Sequence, residues 1–219
     1  MKIRSDQELV DFLAASKQKR KRELVAFVNE LLLAKKKKNY NIARISRSAI
    51  VLSYAHWEGF VKDASEAYVN LVAQKSRSFS SYSNNFKALI CRNELRIAKE
   101  SSRKIGPHLR VVERFTEKLD ESISLSTGGA VDTESNLNSE VFSNLCESMG
   151  IDYEKRWSTN GPFIDDMFSS RCSIAHGELY EPDAVYSLEV LRFVISSIDK
   201  FSTDIENAAI QKAYLQAVH

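Results

Sequence analysis

The chain has 219 residues, 43% of them apolar and 27% charged, with a net charge of +2. That is the balance of an ordinary folded chain with material for a sizeable core, and it excludes a strongly basic nucleic-acid sponge or an acidic tail protein. No apolar run approaches the roughly 20 residues that span a bilayer, and Met1-Lys2-Ile3-Arg4-Ser5-Asp6 turns polar at once with no apolar leader behind it, so a cytoplasmic protein without membrane contact is expected. Cys91, Cys146 and Cys172, with His56, His108, His176 and His219, are scattered at no metal-ligand spacing. Neither a disulfide framework nor a zinc site is expected, and no cofactor is implied.

Ser5-Asp6-Gln7-Glu8 reads as a capping box, Ser5 at the cap and Glu8 reaching back, and predicts a helix over about 6–36. Leu9, Phe12, Leu13, Leu24, Phe27, Val28, Leu31 and Leu32 form its apolar stripe, and Lys35 to Lys38 suit its C-terminus. A second helix is predicted from about 39–41 to Gln74. Ile42, Ile45, Ala49, Leu52, His56, Phe60 and Ala67 mark one stripe; Trp57, Val61, Ala64, Tyr68 and Leu71 mark another. Two stripes predict a helix buried on more than one side. His56 shares the first stripe and reads as a satisfied core histidine.

Ser76 to Asn85 reads as a polar loop. Shorter helices are predicted around 86–100 and 107–123, with Pro107 near the second start. Ser124 to Asn138 is the longest loop. A small helix at 139–149 ends on Gly150, a left-handed cap, and Asp152 to Gly161 reads as loop. Pro162 opens a helix to Gly177, and a last helix follows Glu181-Pro182-Asp183. No strand pattern and no repeat is visible. The expectation is an all-α chain, one elaborated helical bundle over 1–219 with its core at about 40–200.

Positive charge concentrates in Lys17-Gln18-Lys19-Arg20-Lys21-Arg22, in Lys35–Lys38, and in Arg92, Arg96, Lys99, Arg103, Lys104, Arg110 and Arg114. These runs read either as solvated helix faces or as an electrostatic footprint for RNA or DNA.

The segment that carries chemistry is Arg171-Cys172-Ser173-Ile174-Ala175-His176-Gly177-Glu178. Arg171 falls among apolar residues, where a guanidinium is costly unless paired. His176 falls in the last turn, where an imidazolium is favoured. A phosphate ligand and a general acid/base fit these two residue types; a helix-bridging Arg and a carbonyl-capping His fit them as well. The two lie roughly 140° apart and about 7.5 Å along an ideal helix. They converge only if the helix end unwinds or if two copies face each other.

This segment resembles the R-x4-6-H motif of the HEPN superfamily, all-α domains that include many RNases. Ser53-Tyr54-Ala55-His56-Trp57-Glu58-Gly59-Phe60-Val61-Lys62 resembles the aromatic-Glu signature of bacterial HEPN families of the RiboL-PSP type. Asn136-Leu137-Asn138, Gly150-Ile151-Asp152 and Ile164-Asp165-Asp166 also fit that pattern. The resemblance implies a homodimer with two motifs facing one cleft. It implies metal-independent RNA cleavage by 2′-OH attack, leaving 2′,3′-cyclic phosphate and 5′-OH ends. Arg171 and His176 would be catalytic, with Glu58, Lys62, Asp165, Ser169, Cys172 and Ser173 as cleft or RNA-contacting residues and no metal. A toxin or anti-phage effector of this kind implies RNA as substrate and an antitoxin or regulatory protein as partner. The residue after the motif Arg is often Asn, Asp or His in active HEPN nucleases; here it is Cys172, a weak hydrogen-bonding group. The alternative is a non-catalytic HEPN dimer, a scaffold or nucleotide-binding subunit of a defence complex.

Overall fold

The computed structural model describes residues 2–37, 41–101, 103–133 and 136–216. Lys38, Asn39 and His219 lie outside the described residues. Among the described residues eight α-helices follow in order: α1 Asp6–Lys36, α2 Ile42–Gln74, α3 Asn84–Glu100, α4 Ile105–Thr116, α5 Ser139–Ser148, α6 Tyr153–Arg156, α7 Gly161–Ala175 and α8 Ala184–Ile210. The all-α expectation holds. No helix is long and apolar enough to cross a membrane among the described residues.

α1, α2 and α8 pack on one another, and α7 lies against α2. The two stripes on α2 explain its central place: Ala49, Phe60 and Ala67 from one stripe and Trp57, Val61, Ala64, Tyr68 and Leu71 from the other are all buried. Trp57 meets Phe142 of α5 at 5.1 Å, Trp157 at 5.7 Å and Phe201 of α8 at 6.2 Å between ring centres. This aromatic knot joins the second half of the chain to the first. Beside it, the buried carboxylate of Asp204 accepts from Trp157 Nε1 at 2.7 Å and pairs with Arg156.

The capping residues decide most boundaries. Ser5 accepts from Glu8 N at 3.1 Å, while the Glu8 carboxylate takes the N–H of Arg4 at 2.7 Å, one residue before the expected donor. Gly150 sits at φ 73°, the left-handed cap expected of it. Asp183 accepts from Val185 N at the start of α8.

Several expectations are corrected. Ser76 to Asn85 is not a plain polar loop. Arg77–Ser78 pairs antiparallel with Ser122–Ile123, and Phe79 and Tyr82 are fully buried. A pair two residues long leaves no alternation to detect. It also ends α4 at Thr116, short of the expected 123. Likewise 152–161 folds into α6 and a 3-10 turn at Ser158–Asn160, because Asp152 caps Lys155 N at 3.1 Å and Trp157 must reach the core. Leu32, placed on the apolar stripe of α1, is exposed.

The first basic run divides: Lys19 and Arg22 are exposed, while the other three cations meet carboxylates. Arg20 pairs with Asp63 of α2 at 2.8 Å, and Lys17 and Lys21 both pair with Asp199 of α8. α1 is thus clamped to the bundle by charge where its apolar stripe lapses between Leu13 and Leu24. In the second basic region Arg96 pairs with Glu100, and Arg114 with Glu94 and Glu121. α4 has no buried residue and packs on α3; Ile105, Leu109 and Val112 on it are exposed.

Candidate active site

α7 carries the motif and ends in a tight cap. Gly177 N donates to Ile174 O at 3.1 Å and Glu178 N to Ser173 O at 3.0 Å, with Gly177 at φ 79°. This is the paired 6→1 and 5→2 pattern that a left-handed glycine permits. The sequence His176-Gly177-Glu178 therefore presents the imidazole, exposed, at the helix end. The helix stays wound through Ala175, and His176 donates its own N–H to Cys172 O at 2.9 Å. Unwinding does not bring His176 round to Arg171.

Arg171 is partly buried on the side of α7 that faces α2. Its guanidinium carbon lies 4.9 Å from the centre of the Tyr54 ring, a stacking distance for a cation on an aromatic face. Nη1 donates to Cys172 Sγ at 3.7 Å. No carboxylate lies within ion-pair distance of Arg171 among the described residues. Tyr54 is itself buried, packs at a tilt against Phe168 with ring centres 6.0 Å apart, and its phenol is pushed well above the usual tyrosine range. Burial is the main cause; Glu58 adds to it and Arg171 opposes it. Tyr54 therefore stays neutral and supplies a ring face, not an anion. Glu58 is one turn along α2 from Tyr54 and is half-buried.

The remaining expected residues divide. Lys62 is exposed one turn beyond Glu58, and the two form no ion pair among the described residues. Ser169 and Ser173 lie on the opposite face of α7 from Arg171. They line a cavity of about 350 Å³ with Asp166 and with Ser170, whose hydroxyl bonds the phenols of Tyr180 and Tyr186 at 3.1 and 3.2 Å. Asp165 is engaged elsewhere: its two oxygens accept from Ser139 N and Ser139 Oγ at 2.8 and 2.7 Å, tying α7 to the first turn of α5. Cys172 touches Arg171 through its sulfur. The pieces Asn136–Asn138 and Gly150–Asp152 serve as helix caps, Asn138 accepting from Val141 N at 2.9 Å.

His56 is half-buried with Nε2 3.0 Å from Glu23 of α1. Burial, helped by Arg20, holds its imidazole below the ordinary value against the pull of Glu23. It is a structural contact between α1 and α2. No group of three or more His, Cys, Asp or Glu could hold a metal ion among the described residues.

Tyr54, the ring beneath Arg171, was not singled out in the sequence. The available signal was a stripe on α2 at alternating three- and four-residue steps, 44-47-51-54-58, which shares one helix face. Reading it as functional required knowing that α7 lies over it. Two clefts of about 540 and 570 Å³, along α3, α5 and α6, hold none of the expected site residues.

Neither the curated proteins nor the solved structures hold a match to the chain. A family model, described as RiboL-PSP-HEPN, matches residues 15–210, taking in most of α1 as well as the expected core. The helical bundle fits that match, and the chain belongs to the RiboL-PSP-HEPN family of the HEPN superfamily.

Proposed function

We propose that the protein is a metal-independent endoribonuclease of the HEPN type, acting as a toxin or anti-phage effector in the cytoplasm. Membership of the family supports an RNA-directed, toxin-like role. The observation that carries the finer reading is Arg171: a guanidinium held on an aromatic face, partly buried, with no carboxylate neutralising it. Stacking fixes the plane and leaves N–H edges free to take phosphate oxygens in a fork.

In this reading the ribose 2′-OH attacks the adjacent phosphorus and the 5′-oxygen leaves, giving a 2′,3′-cyclic phosphate and a 5′-OH end. Arg171 binds the phosphate and offsets charge on its equatorial oxygens. His176 moves a proton to or from the reacting oxygens; imidazole is the side chain whose charge changes near neutral pH. Because α7 stays wound, one chain does not bring Arg171 and His176 to a common point. The site is composite, built by two copies of α7 in a homodimer, and an antitoxin or regulatory protein restrains it. A second reading, a non-catalytic HEPN dimer, is favoured by one contact: the Arg171 fork spends a donor on Cys172, where a stronger polar group would serve.

The test is RNA cleavage in EDTA by wild type and His176→Ala, with product ends mapped. Because His176 is exposed, the variant keeps its melting temperature. Cyclic phosphate ends that disappear in His176→Ala, at a loss of about 10²–10⁴-fold, support the nuclease. A folded dimer of wild type that cleaves no RNA supports the scaffold instead.

A further inference from the structure

A second groove continues the α2–α7 seam past the Tyr54–Arg171 contact, toward the start of α2. It encloses about 460 Å³, within the range of small-ligand sites. Its floor is apolar, formed by Val51 and Leu52 of α2 and Ile174 of α7. Arg44, Arg47 and Glu181 also line it. Ile174 lies one turn from Arg171 on the same face of α7 and two residues before His176, so the groove adjoins the motif.

Its cations differ from those of the first basic run that meet carboxylates of α2 and α8. Lys17, Arg20 and Lys21 are engaged in ion pairs with Asp199 and Asp63. Arg44 and Arg47 have no ion-pair partner among the described residues, and at i,i+3 spacing both heads reach one side of α2. Apolar side chains beside two unpaired guanidinium groups are the complement of a nucleotide: a base with two apolar faces, and a phosphate that accepts two forked donors. A second phosphate is disfavoured beside Glu181, where a carboxylate accepts amino hydrogens from a base edge.

We propose that this groove seats one nucleotide of single-stranded RNA next to the scissile step. Its phosphate lies on Arg44 and Arg47, and its base on Val51, Leu52 and Ile174. The assignment rests on the RNA-directed reading above and adds the strand's path to it: from the Arg171 phosphate along α2 toward its N-terminus.

The experiment measures binding apart from cleavage. Fluorescence anisotropy follows a short, fully 2′-O-methylated single-stranded RNA, which cannot form the cyclic phosphate, over a salt series. Arg44→Ala/Arg47→Ala raises Kd about tenfold and lowers the slope of log Kd against log salt by about 0.7, one single-strand phosphate contact. Arg103→Ala/Arg110→Ala removes the same charge from exposed sites beside and on α4 and leaves the slope near wild type. Equal effects in the two doubles, no RNA binding by wild type, or a groove double that dissociates the homodimer at unchanged RNA affinity each overturn the proposal. Photocrosslinking of 4-thiouridine RNA to wild type needs no variant to fold. Crosslinks at Val51, Leu52 or Ile174 are expected, and crosslinks confined to other elements overturn the groove. Native RNA left uncut while the groove effects persist sinks the nuclease and keeps the groove; cyclic ends with no groove effect do the reverse.

Discussion

Replacing Tyr54 by Leu removes the ring under Arg171 without touching the motif. At 4.9 Å from the ring centre, and partly withdrawn from water, the guanidinium gains about 1–2 kcal/mol from the contact. If that energy holds Arg171 in the phosphate-binding pose, its loss lowers RNA cleavage roughly five- to thirtyfold. The same change trims a buried side chain and costs about 2 kcal/mol of stability, so activity must be compared at equal folded fraction. Phe142→Leu supplies the control. It opens the aromatic knot around Trp57 and Trp157 at a similar stability cost and makes no contact with Arg171. Tyr54→Phe keeps the face and retains activity. Cleavage with cyclic phosphate ends is followed beside thermal unfolding for each variant. Equal losses in Tyr54→Leu and Phe142→Leu, once folded fractions are matched, refute the claim that the ring positions the guanidinium.

Three further outcomes follow from other contacts. Gly177→Ala forces a side chain into the left-handed region at φ 79° and costs about 1 kcal/mol; a melting temperature that does not move would show that the α7 cap is not what holds His176 at the helix end. Asp204→Ala strands the indole N–H of Trp157 and frees Arg156. Because Arg156 is 43% exposed, its share is screened, and denaturant unfolding is expected to register a loss of about 2 kcal/mol, mostly from the orphaned indole; a neutral result would place the indole's partner elsewhere. His56 makes stability fall with acid. Burial depresses its folded value, so the unfolded chain binds the proton first, and stability is lost as pH falls below about 6.5 toward the folded value. His56→Gln flattens this slope between about pH 7.5 and 5.5, and an unaltered slope in that variant assigns the effect to another group.

The sequence by itself determined what is local. Apolar residues three and four apart outline α1, α2 and α8 whatever the rest of the chain does, and caps such as Ser5, Gly150 and Asp183 act within a few residues of themselves. The Arg171–His176 segment was legible for the same reason, since its cap is closed by Gly177 and Glu178. The central position of α2 was legible from its two stripes. What failed was non-local or too short to have a period. The pair Arg77–Ser78 with Ser122–Ile123 spans more than forty residues of chain, and α6 is a single turn set by Asp152 and the burial of Trp157.

Only the tertiary structure decided which charges are spent and which are free. Nothing in Lys17-Gln18-Lys19-Arg20-Lys21-Arg22 says that Lys17, Arg20 and Lys21 meet Asp63 and Asp199, because those carboxylates arrive from α2 and α8. Nor does the order of residues on α7 say that Asp165 is taken up by Ser139 while Arg171 meets Tyr54. A helix displays every side of itself in sequence; which side meets an aromatic face, a carboxylate or an open groove depends on what packs against it. The antiparallel seam of α2 and α7 is that decision here, and it joins Tyr54 and Arg171 to the groove of Arg44 and Arg47.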